Sequence, residues 1–346
     1  MKINFILNAM GISGGVKAVF MFGNELKKLG HTVNVIYPQM PLRIGAKIFH
    51  PVQLVKEAGY LTLNRWQPLE WYKDVNVIHV QSLLHNQEIP DADVTIATQW
   101  ETAYYVNGYP KSKGEKYYLV QDFENWHENK AVIETYKMGL KNIVHSKWLK
   151  HMVMGINAQV EAVIPHAPDH SQFYPEPTTR EWDAPVRVLM CYRKEKWKGI
   201  AAGVEAYNQV KGTNTRIVMF GLLPSNDFKV DEYYQNPPQD QIRRIYNSCD
   251  IFLFTSEREG WGMPPMEAMA CGVATISTNV GAVPEFITSG INGVIANDVN
   301  KMVIALELLI GNKHIRGRIG NAGYETMKQY TWEKSAKMLG EVLCRR

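Results

Sequence analysis

Two carboxylates with seven residues between them, Glu259 and Glu267, stand in the stretch E-R-E-G-W-G-M-P-P-M-E-A-M-A-C-G from Glu257 to Gly272. The preceding D-I-F-L-F-T-S is a short apolar run of strand type. Pro264-Pro265 followed by M-E-A-M-A predicts a helix opened by proline. Glu259 then belongs to a strand-to-helix turn and Glu267 lies near the first helical turn. Both can face the carboxyl ends of a parallel sheet, where α/β folds bind ligands. The amides of Gly260, Trp261, Gly262 and Met263, at the helix start, suit an anion such as a diphosphate. For a single glutamate the plainer reading is a solvated acid favoured by the helix dipole.

A second cluster, C-Y-R-K-E-K-W-K-G, runs from Cys191 to Gly199 directly after another apolar strand, V-R-V-L-M-C-Y. A diphosphate needs cations at its phosphates, and arginine and lysine at a strand end supply forked and point-charge contacts. Taken alone, the segment reads equally as a solvated basic loop, and Lys194 and Lys196 are read as surface charges.

The elements that must position these groups alternate along the chain. K-I-N-F-I-L-N is a strand, Gly11 to Gly15 a glycine-rich turn, Val16 to Leu29 a helical apolar period, and H-T-V-N-V-I-Y a second strand. This is the β-loop-α-β unit of a doubly wound sheet. Further strands are expected at Val75 to Val80, Val94 to Thr98, Tyr117 to Gln121, Asn142 to His145 and Ala162 to Ile164. The proline-rich stretch from Tyr174 to Pro185 reads as an interdomain linker. A second alternating series follows, with strands V-R-V-L-M-C-Y, T-R-I-V-M-F-G, D-I-F-L-F-T and A-T-I-S-T, and the chain closes on a helical segment, T-W-E-K-S-A-K-M-L-G-E-V-L. The expected division is a first Rossmann-like domain over 1–178, a second over 179–328, and a terminal helix over 329–346.

Composition narrows the class. The 346 residues, 45% of them hydrophobic, suffice for two cores. Net charge is only +4, from 38 basic and 34 acidic residues with no long basic block, which disfavours nucleic acid as a partner. Four scattered cysteines without a C-x-x-C pair point to free thiols in a reducing cytoplasm. No signal peptide is read over Met1 to Tyr37, and no run of about 18 apolar residues offers a membrane span. Asp91-Ala-Asp93 has the D-x-D form that holds metals elsewhere, but it precedes the strand V-T-I-A-T and reads as a loop end. Pro168 between His166 and His170 argues against a helical metal pair. S-K-W-L-K-H-M-V-M is amphipathic and basic; it reads as a half-buried helix, or as one able to meet an anionic membrane surface.

The whole string from Ser256 to Gly272 resembles the E-x7-E motif of retaining glycosyltransferases of family 4. Ser256, Glu259, Gly260, Gly262, Glu267, Ala268 and Gly272 match, while Thr255 and Ala274 stand where that family often has proline. The resemblance extends through G-G-V-K and E-L-K-K-L-G-H-T-V near the start, I-P-H-A-P-D-H-S-Q-F-Y-P, and N-V-G-A-V-P-E-F-I. It covers nearly the full chain, most strongly Arg187 to Gly293. It implies the GT-B architecture: two Rossmann-like α/β domains facing a cleft, closing to exclude water, with the C-terminal helix crossing back to the first domain.

By the same resemblance, Arg193 and Lys198 hold the donor diphosphate, Glu267 accepts from ribose hydroxyls, and Glu259 binds donor-sugar hydroxyls. Gly14 and Gly15 let backbone approach the diphosphate or acceptor, and Gly281 and Glu285 lie at or beneath the site. The base pocket is expected around Tyr233 to Ile242. In Y-Y-L-V-Q-D-F-E, Gln121 and Asp122 occupy the place where many members have histidine near the donor sugar. Gln121 can only hydrogen-bond, and Asp122 and Glu124 are the nearest ionisable groups, each able to cap the following helix. That form is similar to a bacterial polysaccharide subset that includes rhamnosyltransferases, so a donor without the usual 6-hydroxyl contact is one expectation.

The implied activity is metal-independent, cofactor-free transfer of a hexosyl or deoxyhexosyl group from a nucleoside diphosphate sugar to a glycan, lipid-linked or small acceptor. The implied place is the cytoplasm, with peripheral association at the inner membrane face. A GT-B nucleotide-sugar epimerase would share the donor site, and a non-catalytic sensor would keep Arg193 and Lys198 but lose Glu259. A nicotinamide dehydrogenase is disfavoured because G-I-S-G-G does not satisfy G-x-G-x-x-G.

Overall fold

A computed structural model describes residues 1–11, 13–39, 74–124, 130–177, 184–224 and 227–345. The chain forms two compact units, one of Met1–Pro165 with Trp332–Arg346 and the other of His166–Thr331. The passage between units thus falls at Pro165–His166, ahead of the proline-rich stretch. The reason is visible in Phe173, which is buried in the second unit's core. The 178/179 boundary expected from the sequence, with residues 178–183, lies outside the described residues.

In the first unit, strands β1 (Lys2–Ile6), β2 (Thr32–Pro38), β3 (Asn76–Val80), β4 (Val94–Ala97), β5 (Glu115–Val120), β6 (Lys141–Val144) and β7 (Ala162–Val163) pair in the order β3-β2-β1-β4-β5-β6-β7. Every pairing is parallel. The order reverses between β1 and β4, which makes their carboxyl ends a topological switch point. Helix α1 (Gly14–Lys28) is capped by Ser13, whose hydroxyl accepts from Val16 N, and ends on Lys27 and Lys28, the favoured charge for a helix C-terminus.

One sheet face carries a polar ladder. Asn4, Asn34 and Asn76 stand in register on β1, β2 and β3. Asn76 donates to Asn34 at 2.8 Å, Asn34 to Asn4 at 2.8 Å, and Asn4 to the Pro90 carbonyl at 2.8 Å. A slip of one residue would leave these amides unsatisfied, so the ladder specifies the register.

Helices α2 (Trp100–Gly108), α3 (Lys130–Thr135) and α4 (Lys147–Gly155) follow β4, β5 and β6. In α4, Leu149 and Val153 are buried, and Trp148 packs on the core beside them while Met154 is exposed. Among the described residues no helix is long and apolar enough to cross a membrane.

The second unit contains β8 (Val186–Tyr192), α5 (Ile200–Val210), β9 (Thr215–Gly221), β10 (Glu232–Gln235), α6 (Gln239–Asn247), β11 (Ile251–Phe254), α7 (Met263–Ala270), β12 (Ala274–Ser277), α8 (Val283–Phe286), β13 (Val294–Ile295), α9 (Val299–Gly311) and α10 (Lys313–Met327). Its sheet order is β10-β9-β8-β11-β12-β13, again all parallel. Alternate strand residues serve two cores: Val188, Met190, Ile251 and Leu253 enter one, and Leu189, Phe252 and Phe254 the other. This period of two, apolar on both faces, is what a sheet covered on both sides requires.

β10 has no apolar alternation to announce it. It is an edge strand held on β9 and tied by Glu232 to the guanidinium of Arg187, whose Nη2 lies 2.8 Å from Oε2. The segment expected to form a base pocket is therefore this strand plus the start of α6. The last helix, α11 (Trp332–Cys344), packs on α1 within the first unit, with the Trp332 ring edge-on to Phe22 at 5.1 Å.

Candidate active site

In the second unit the switch point lies between β8 and β11, and the chemistry-bearing residues leave those two strands. Arg193 and Lys198 follow β8; Glu259 follows β11, and Glu267 sits on α7. Lys198 Nζ donates to Glu259 Oε1 at 2.6 Å, with the two side chains 23% and 16% exposed. Their partial burial makes the pair stronger than a typical surface ion pair. Arg193 is exposed and has no ion-pair partner among the described residues. Cys191, at the end of β8, feels Arg193, Glu267, Lys198 and Glu259 together, which places all four charges around one strand end. Burial pushes its thiol up to about 11, so the group is neutral and unreactive there.

The loops that carry these side chains are fastened to each other. The turn Lys196–Lys198 lies against the exit of β11: Glu257 N donates to the Trp197 carbonyl at 2.7 Å and Thr255 Oγ1 to the Lys198 carbonyl at 2.9 Å. Gly199 makes this contact possible, having φ of 64° and a position where a Cβ would lie 2.1 Å from the Thr255 carbonyl oxygen. From the other side, Gly281 has φ of 52°, and a Cβ there would lie 2.2 Å from the Glu259 carbonyl oxygen. Gly281 thus supports the Glu259 turn from beneath; Glu285 is half-buried on the short helix that follows, α8.

Helix α7 is preceded by its cap residue Gly262, φ 90°, and has proline in its first turn. Glu267 is half-buried one turn in, and Oε2 accepts from Tyr246 OH at 3.2 Å. Tyr246 is fully buried and so fixes one carboxylate oxygen. The Trp261 indole faces inward instead, 4% exposed, with Nε1 donating to Met266 Sδ at 2.7 Å and the ring against Phe286, Tyr330 and His166. Of Gly260, Trp261, Gly262 and Met263, Trp261 can contribute only backbone to a ligand. His166 is buried and His170 Nε2 is 2.9 Å from the Tyr330 carbonyl.

The first unit gathers a second group of residues at its own switch point. Gly14 and Gly15 form the first turn of α1, and the Gln121 side chain lies beside Gly15, where a Cβ would meet Oε1 at 3.1 Å. Gln121 Nε2 donates to the Thr98 carbonyl at 3.3 Å, and Oε1 is buried with no partner among the described residues. Asp122 turns Oδ1 onto the Phe123 amide at 2.7 Å. Glu124 turns back to the preceding helix rather than the following one, with Oε2 accepting from Trp100 N, the first amide of α2, at 2.8 Å. Asp91 pairs with the buried Lys113 at 2.9 Å and Asp93 accepts from Lys2 N at 2.8 Å, so the D-x-D acids fasten the sheet's lower edge.

Residues 180–326 match the sequence model of the family described as glycosyl transferases group 1. The O-antigen biosynthesis protein RfbC of Myxococcus xanthus is 27% identical over 262 residues, 71% of this chain and 20% of that protein. The capsular polysaccharide biosynthesis glycosyltransferase CapM of Staphylococcus aureus is 29% identical over 167 residues, 43% of this chain and 44% of CapM. The chain therefore spans less than half the length of these curated relatives. Among solved structures, the Anabaena protein HepE in complex with UDP-glucose superposes with a TM-score of 0.77 at 14% identity, covering 99% of both chains. Sucrose-phosphate synthase from Thermosynechococcus elongatus gives 0.76 at 14% identity, covering 99% of this chain and 98% of its own. The fold is GT-B, two Rossmann-like α/β domains each built on a parallel sheet.

Proposed function

From a group 1 glycosyltransferase match on a GT-B fold, we propose that the chain transfers a hexosyl or deoxyhexosyl group from a nucleoside diphosphate sugar, with retention at the anomeric carbon and without a metal ion. The observation that carries this reading is the gathering of Arg193, Lys198, Glu259 and Glu267 around the end of β8, on loops braced to one another. In the proposed reaction the glycosidic C–O bond breaks and negative charge grows on the leaving diphosphate. Arg193, Lys198 and the amides from Gly260 to Met263 stabilise that charge more in the transition state than in the ground state. Glu267, held by Tyr246, accepts from the ribose hydroxyls, and Glu259 binds the donor sugar. The acceptor oxygen bonds to the anomeric carbon on the face that the diphosphate leaves, and its proton passes to the departing phosphate oxygen.

The names of RfbC and CapM support a polysaccharide acceptor, reached on the cytoplasmic side of the membrane, where α4 provides a basic, amphipathic surface for peripheral contact. Changing Arg193 or Lys198 to Ala tests the clamp. Each should cost about 2–4 kcal/mol of transition-state stabilisation, roughly 30- to 1000-fold in kcat/KM. Near wild-type turnover in both variants would remove the assignment.

A further inference from the structure

Glu124 lies outside the cluster around β8, yet it joins three segments of the first unit: β5, the start of α2 and Tyr136 beyond α3. Its Oε2 accepts from Trp100 N, the first amide of α2, at 2.8 Å and from Tyr118 OH on β5 at 2.9 Å. Its own amide donates to Tyr136 OH at 3.1 Å. The Tyr136 ring stacks with both Tyr118, at 5.7 Å, and Phe123, at 5.5 Å. The segment leaving β5 is thus pinned at its far end to the start of α2.

That start is itself tied to β1. Gln99, the residue that caps α2, accepts from Asn8 N at 3.3 Å, just beyond β1. Thr102 Oγ1 accepts from the amides of Thr98 and Gln99, both at 3.0 Å. Gln121, between β5 and Glu124, reaches the Thr98 carbonyl and places its unpartnered Oε1 beside Gly15. We infer that Glu124 is a positioning residue for sugar transfer: it locks the β5 exit to α2 and thereby holds Gln121 against the first turn of α1. The inference rests on the transferase reading above.

Burial pushes the Glu124 carboxyl up to about 8, with the Tyr118 hydroxyl and the Trp100 amide opposing the rise and Glu101 and Asp122 adding to it. The titratable groups facing it are Tyr118 on β5, Tyr136 beyond α3, Glu101 on α2 and Asp122 on its own loop. The neutral acid is the form that suits this surrounding near pH 7, so glutamine should imitate it and alanine should not.

The test compares the full-length wild type with Glu124→Gln and Glu124→Ala in three measurements. Peptide-level hydrogen exchange at pH 7 should be faster in Glu124→Ala over 98–103, 119–124 and the start of α1, and unchanged in Glu124→Gln. With a nucleotide sugar as donor, kcat should fall roughly 10- to 100-fold in Glu124→Ala, with donor KM and nucleoside diphosphate affinity within about twofold, because misplacement acts on the reacting geometry. Wild-type kcat should also decline above about pH 8, and Glu124→Gln should not. Unchanged exchange at the start of α1 in Glu124→Ala, or unchanged kcat, would overturn the inference while nucleoside diphosphate binding keeps the donor reading intact. A wild type that binds no nucleoside diphosphate overturns the donor reading, and the role given to Glu124 with it.

Discussion

Replacing Glu259 by Gln should move nucleoside diphosphate binding and sugar transfer in opposite directions. In the free protein Lys198 Nζ sits 2.6 Å from Glu259 Oε1, and the side chains retain 23% and 16% of their exposure. Exposed pairs contribute about 0.2–1 kcal/mol and disrupted buried pairs about 3–5 kcal/mol, so a half-buried pair belongs near 1–2 kcal/mol. A diphosphate that recruits Lys198 must compete with that carboxylate and approach its negative charge. Glutamine removes both penalties. Nucleoside diphosphate alone should therefore bind Glu259→Gln more tightly by about 1–2 kcal/mol, roughly 5- to 30-fold in Kd. Transfer from the nucleotide sugar should nevertheless fall, because the contacts of Glu259 with sugar hydroxyls are weakened. Calorimetry at fixed pH and salt reads the first quantity and steady-state kinetics the second. Weaker nucleoside diphosphate binding in Glu259→Gln would refute the argument that the pair opposes entry of the diphosphate.

Gly281→Ala should destabilise the second unit by about 1–3 kcal/mol in urea unfolding and lower donor affinity, since its Cβ would strike the Glu259 carbonyl oxygen at φ of 52°. Asn34→Leu should cost about 2–4 kcal/mol by leaving Asn4 Oδ1 and Asn76 Nδ2 unpaired, whereas replacing Asn4, Asn34 and Asn76 together by apolar residues should cost less than the sum of the singles. Burial pushes His145 down to about 4, so between about pH 6.5 and pH 4 the unfolded chain binds a proton that the folded one refuses. Stability should fall through that window as pH drops, by up to about 3 kcal/mol, and thermal melts of His145→Gln should show a shallower acid slope.

The sequence disclosed those features whose cause is local. A strand-like run into a proline-opened helix located the turn of Glu259, and the alternating apolar runs at Val186–Tyr192, Thr215–Gly221 and Ile251–Phe254 are strands of the second sheet. The contacts that brace these parts come from residues far apart in the chain. Lys198 meets Glu259 across 61 positions, and Gly281 supports the Glu259 turn through a left-handed conformation that a sequence does not display. β10, Glu232–Gln235, carries no apolar period because its side chains are only partly covered at a sheet edge. Trp261 stands within the loop string, yet the neighbouring Met266, Phe286 and Tyr330 draw its indole into the core. Glu124 had two readings in sequence, site acid or cap of the following helix; its bond instead runs back to Trp100 N at the start of α2, a contact across 24 positions that local pattern does not display.

Incubating the protein with a panel of nucleotide sugars and a panel of glycan, lipid-linked and small sugar acceptors, and following the first-formed glycoside by proton NMR, tests the transferase reading most directly. The account predicts release of nucleoside diphosphate from at least one donor and acceptor pair, a glycoside with the anomeric configuration of that donor, and a reaction roughly 30- to 1000-fold slower in Lys198→Ala. An inverted product, an epimerised nucleotide sugar, or no turnover with any donor would contradict it.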